Sequence, residues 1–144
     1  NGPEKSNLIK LAKKLDLKNV EFCNQVAKRM VPYILSCADC CLLLSRDIPL
    51  YQYGISPNKL FDYLASEKPI VFAGNVSNNI VDIANCGLTV PPEDPERLAG
   101  ALVELSNTPR TILEEMGRNG RKYFLEHHTY QALAERLEKD VILA

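Results

Sequence analysis

The chain has 144 residues, 46% apolar and 24% charged, with a formal net charge of −1 at pH 7. Length and composition fit one globular domain, residues 1–144, large enough for a core of its own. A charge so near zero supplies no general field for nucleic acid, which is not expected as a partner, and allows at most peripheral membrane association.

In chain order, Pro3 and Glu4 suit a helix start, and Leu8, Leu11, Ala12 and Leu15 form an apolar stripe. Lys10, Lys13, Lys14 and Lys18 read as the solvated face of that helix. Asn19-Val20-Glu21-Phe22 reads as a short strand, and Cys23-Asn24-Gln25-Val26 as a loop. A short helix over about 27–36 is broken or restarted at Pro32. Cys40-Cys41-Leu42-Leu43-Leu44 is a continuous apolar run, the pattern of a strand buried on both faces. A loop over 45–55 carries Arg46, Asp47, Tyr51 and Tyr53, and a central helix leads to the strand Ile70-Val71-Phe72, closed by Gly74. Asn78 or Asn79 caps a short helix through Ile80, Val81 and Ile83, and Leu88-Thr89-Val90 is the last strand. Three helices follow: Asp94 caps one carrying Leu98, Leu102 and Leu105, and Pro109 opens one carrying Ile112 to Phe124. Thr129 caps the last, over about 130–142.

Helices alternating with short apolar strands predict a parallel α/β sheet covered on both faces, doubly wound and Rossmann-like, with C-terminal helices. In such sheets ligands sit outside the carboxyl ends of the strands, so the loops after Phe22, Leu44 and Phe72 are expected to share one rim. The five cysteines, Cys23, Cys37, Cys40, Cys41 and Cys86, are odd in number and irregular in spacing. That pattern argues for a reducing compartment, here the cytoplasm. No second Cys or His pair completes a metal site beside Cys37, Cys40 and Cys41, and no metal or other cofactor is expected. No apolar run approaches the ~20 residues that would span a membrane or mark a signal segment.

The central helix carries the chemistry. Ser56 is expected to be its N-cap and Pro57 its first residue. A capping box would then place Glu or Gln at position 59, where Lys59 stands instead. A cation in the first turn faces the positive end of the helix dipole, at a cost of about 0.3–1 kcal/mol. Two readings account for it: an anion held over the helix by free amides and Lys59, or a surface pair with Asp62 at i, i+3. His127 and His128 fall at a helix end and read as partners of its dipole rather than as acid–base groups.

The stretch Gly54-Ile55-Ser56-Pro57-Asn58-Lys59-Leu60-Phe61-Asp62-Tyr63-Leu64-Ala65-Ser66-Glu67-Lys68-Pro69-Ile70 resembles the donor-binding signature of family-4-type retaining glycosyltransferases of GT-B fold. It is most similar to the bacterial branch that builds surface polysaccharides. The resemblance implies that Gly54, Ile55, Ser56 and Lys59 bind the diphosphate of a nucleotide sugar. It also implies that Asp62 binds the ribose, although it is one methylene shorter than the family's Glu, and that Gln25 and Val26 contact the base. Gly54 stands where the family's first motif Glu would be, and Glu67 where its usual Gly precedes Lys-Pro. Asn1-Gly2-Pro3-Glu4 looks like the tail of a Gly-rich turn, so the chain is expected to be the C-terminal, donor-binding half of the enzyme. On this reading it lacks its first strands and the domain that binds an acceptor glycan or lipid-linked sugar, and is inactive alone. A nucleotide-sugar 2-epimerase-like domain and a non-catalytic interaction module remain as alternatives.

Overall fold

The computed structural model describes residues 2–142; Asn1, in the opening turn expected from the sequence, lies outside them. The chain divides into two compact units, residues 1–31 and 32–144.

The first unit is organised on helix α1 (Lys5–Lys14), whose last-turn Lys13 and Lys14 complement the helix dipole. Lys5 Nζ donates to the Cys23 carbonyl at 2.8 Å, tying the helix to the chain that returns beside it. Leu8, Leu11 and Leu15 are about half exposed, and no described residue of this unit is buried. Residues 19–22 are irregular rather than the expected strand. A strand exists only by its ladder, and no described residue pairs with them.

Helix α2 (Val31–Ser36) follows a 3₁₀ turn over Lys28–Met30, and from Pro32 on it belongs to the second unit. Three parallel strands follow, β1 (Cys41–Leu44), β2 (Ile70–Ala73) and β3 (Gly87–Val90), in the order β1-β2-β3. The connections are α3 (Asn58–Ala65) and α4 (Ile80–Ile83); α5 (Pro95–Asn107), α6 (Arg110–His127) and α7 (Tyr130–Leu137) come after the sheet. A single turn of π-helix, Glu138–Ile142, continues α7.

Strand β2 is central, and all four of its residues are buried. Ile70 and Phe72 face one side, packed with Leu60 and Leu64 of α3 and Ile80 and Val81 of α4. Val71 and Ala73 face the other, packed with Ala101 and Leu105 of α5. Each such large side chain contributes roughly 1.5–3 kcal/mol when fully buried. The arrangement is therefore α/β, with helices on both faces, as the alternation of elements predicted.

Strand β1 departs from expectation. Cys41 and Leu43 are buried against the α3 side, but Leu42 and Leu44 are 38% and 54% exposed. Among the described residues β1 is the sheet edge, so the face that α5 covers over β2 and β3 stays open here.

Helix α6 runs beneath the amino ends of the strands. Its Leu113 and Met116 join the α5 cluster, and its Tyr123 and Phe124 join the α3 cluster. Between them Gly117 lies so close to the Glu67 carbonyl that a Cβ there would be 2.0 Å from the oxygen. Glu67 itself, where the resemblance expects Gly, has φ +56°. Arg121 of α6 meets the Glu67 carboxylate at 3.1 Å and donates to the Ala65 carbonyl at 2.8 Å.

Candidate functional site

At the carboxyl end of β1 the chain leaves the sheet through Ser45, whose N–H and hydroxyl both donate to the Ala73 carbonyl. Arg46 follows, then a 3₁₀ turn over Pro49–Tyr53, then Gly54-Ile55-Ser56-Pro57 and the start of α3. These segments enclose a cleft of about 570 Å³, within the ordinary size of a small-ligand site. Leu43, Leu44, Leu50, Tyr51, Ile55 and Pro57 give it apolar walls. Its polar groups come from Ser45, Ser56, Arg46 and Lys59, and among the described residues no carboxylate lines it.

The start of α3 differs from the sequence reading by one residue. Pro57, with ψ 124°, is the N-cap rather than the first helical residue, and among the described residues no side chain caps the helix. Ser56 therefore stands one position outside, and its hydroxyl reaches none of the first-turn amides. The N–H groups of Asn58 and Lys59 open the helix with no hydrogen-bond partner among the described residues. Lys59 falls at the second helical position, and the first turn holds no acidic residue to offset it.

The ion pairs among the described residues leave both cleft cations unpaired. Lys59 does not pair with Asp62, so the surface-pair reading is not realised, and Arg46 does not pair with Asp47. Arg46 and Lys59 thus line one cleft at the carboxyl rim of the sheet, beside the start of α3 with its two orphan amides. That set is suited to holding an anion with more than one charge.

The expected diphosphate residues Gly54, Ile55, Ser56 and Lys59 all line this cleft. Asp62, one turn along α3, is exposed and is not part of the lining. Gln25 and Val26 belong to the first unit, in the segment before the Lys28–Met30 turn. Arg46 is the cleft residue that sequence reasoning undervalued; its place immediately beyond a strand's carboxyl end was the available signal.

Gly54 has φ +107°, a conformation that L side chains rarely adopt. From the loop after β2, Asn78 meets the next residue twice. Ile55 N–H donates to Asn78 Oδ1 at 2.9 Å, and Asn78 Nδ2 donates to the Ile55 carbonyl at 2.9 Å. Asn79, not Asn78, caps α4, accepting from Val81 N–H.

Behind α3, Phe61 packs on His128 with ring centroids 4.9 Å apart, and Tyr123 lies 5.5 Å from the same imidazole. His128 Nε2 is buried with no hydrogen-bond partner among the described residues. Burial first, then the neighbouring His127 and Arg136 charges, holds the His128 pKa below the usual 6.5. The ring packs between Phe61 and Tyr123, and its burial disfavours the cation that a helix end would otherwise favour. Burial likewise pushes the Cys86 thiol up to about 12, leaving it a core residue without nucleophilic character. Among the described residues no three His, Cys, Asp or Glu side chains are grouped to hold a metal. No helix among them is long and apolar enough to cross a membrane.

Residues 1–108 match the family described as glycosyl transferases group 1. The chain belongs to that family. A solved structure with the same fold is a sucrose-phosphate synthase from Thermosynechococcus elongatus, at 20% sequence identity and a TM-score of 0.78. The superposition covers 99% of this group 1 chain and 34% of the synthase, so the chain spans about a third of that protein's length. At this identity the likeness establishes the fold alone: a Rossmann-like fragment of GT-B architecture. No curated protein matches the chain.

Proposed function

We propose that the cleft holds the diphosphate of a nucleotide-sugar donor, and that the chain is the donor-binding part of a glycosyltransferase. The observation that carries this reading is the joint lining of one cleft by Arg46 and Lys59, without a carboxylate, at the open amino end of α3. When the sugar leaves, negative charge develops on the nucleoside diphosphate. Lys59, Arg46 and the Asn58 and Lys59 amides are preorganised to stabilise it, with no proton transfer required and no metal invoked.

The finer assignments follow the motif resemblance: a family-4-type enzyme that moves a hexosyl group to an acceptor hydroxyl with retention, in surface polysaccharide synthesis in the cytoplasm. Asp62 is assigned to the ribose, and Gln25 and Val26 to the base. The acceptor, a glycan or lipid-linked sugar, has no assigned residues, and the 144 residues alone are proposed to bind donor without transferring sugar. Gly54, in the place of the motif's first Glu, is the feature that favours a second reading, a non-catalytic Rossmann-like interaction module that has lost its ligand.

A thermal-shift screen against uridine, guanosine, adenosine and thymidine diphosphates tests the proposal. One of the four is expected to raise the melting temperature in a concentration-dependent way, by the linkage of binding to folding. No shift with any of them at millimolar concentration would contradict it.

A further inference from the structure

The cleft's wall over Gly54-Ile55-Ser56 is not part of a regular element, yet it must present the α3 amides and Lys59 at a fixed place. Two anchors hold it. The Ile55 side chain packs against the main core with Leu43, Leu60 and Ile80. The Ile55 main chain is bonded on both its N–H and its C=O by the single amide of Asn78, at 2.9 Å each. One side chain thereby reproduces both hydrogen bonds of a β-bridge residue, across 23 positions of sequence.

Gly54 is what admits this clamp. A Cβ at position 54 would lie 3.0 Å from both Cγ and Oδ1 of Asn78, tighter than most real Cβ contacts, so the Asn78 side chain would have to give by a few tenths of an ångström. Its φ of +107° is strained for any side chain as well. Any side chain at position 54 would therefore strain the backbone and press on the Asn78 clamp.

We infer that Asn78 is a positioning residue for the anion site: it fixes the Gly54–Ser56 wall so that the start of α3 meets the ligand without first being ordered. This rests on the reading of the cleft as a diphosphate site. Preorganisation of this kind raises affinity by removing the ordering cost from the binding step. Asn78 touches no ligand in this account and acts through Ile55.

The test is a set of variants of the whole 144-residue chain, titrated with inorganic pyrophosphate and followed by amide exchange and melting. Asn78→Ala is expected to weaken pyrophosphate binding by about five- to tenfold and to speed exchange at Ile55 and Ser56. Asn79→Ala is the control on the same loop. It removes the α4 cap and the contacts to Asp82 and Thr89, so its melting temperature falls, while affinity stays within about twofold. Unchanged affinity in Asn78→Ala, with exchange at Ile55 accelerated, would overturn the inference and leave the diphosphate reading standing. Equal loss of affinity in both variants would also overturn it, since the effect would then be one of general stability. Failure of the unaltered chain to bind pyrophosphate would overturn both the inference and the reading beneath it.

Discussion

At the scale of single residues, His128 makes the clearest prediction beyond the cleft. In the unfolded chain its imidazole takes a proton near pH 6.5; in the folded chain, wedged between Phe61 and Tyr123, it does so only at lower pH. Between those values the unfolded state binds more protons, so stability falls as pH drops through 6.5 and levels off below the folded value. His128→Phe should lose less stability than the unaltered chain between about pH 7.5 and 5, when melting curves of the two are compared. Identical pH slopes would mean that the ring is solvated. The sequence placed His128 correctly at the end of a helix but misjudged its state. Position on a helix is a local property, whereas burial against Phe61 depends on how α6 crosses α3. Lys59 was legible for the opposite reason, since a cation in a first turn is anomalous whatever surrounds it. Asn78 left no such signal, because its partner lies 23 residues away and is a main-chain group.

At the scale of elements, helix α6 depends on Gly117 to pass beneath the strands. Gly117→Ala places a Cβ 2.0 Å from the Glu67 carbonyl oxygen, and backbone cannot rotate away as a side chain can. A loss near or above the upper end of the ~1–3 kcal/mol typical of overpacking is expected in denaturant titrations. Gly100→Ala, in the middle of α5 with open space around it, is the contrasting case and should gain up to ~1 kcal/mol. Equal effects at the two positions would contradict the packing described for α6. Helix caps were readable where one side chain meets one nearby amide, as at Asp94 and Thr129. Ser56 failed as a cap because Pro57 stays extended at ψ 124° and takes the cap position itself. The strand expected over 19–22 failed because strand pattern is local but pairing is not. The edge exposure of Leu42 and Leu44 was invisible for the same reason.

At the scale of the whole molecule, burial is concentrated in the second unit. Strand β2 is buried on both faces, while neither α1 nor α7 buries a residue fully. Amide exchange should therefore be slowest over Ile70–Ala73 and much faster over Lys5–Lys14 and Tyr130–Leu137, as few buried contacts predict. Uniform protection across all of them would contradict that distribution. The α/β class and the rim on which the cleft sits follow from alternation of elements and a strand-end rule, and both were legible from the sequence. The division into two units was not, since it depends on which contacts form rather than on composition. The central claim is that the cleft at the start of α3 binds a diphosphate, and Lys59 tests it most directly. Calorimetric titration of the chain and of Lys59→Ala with the nucleoside diphosphate that stabilises it best should give a ten- to hundredfold loss, roughly 1.5–3 kcal/mol for one charge-assisted hydrogen bond. The melting temperature of the free variant should hold or rise slightly, because the substitution removes a cation from the positive end of a helix. Unchanged affinity together with a lower melting temperature would contradict the account.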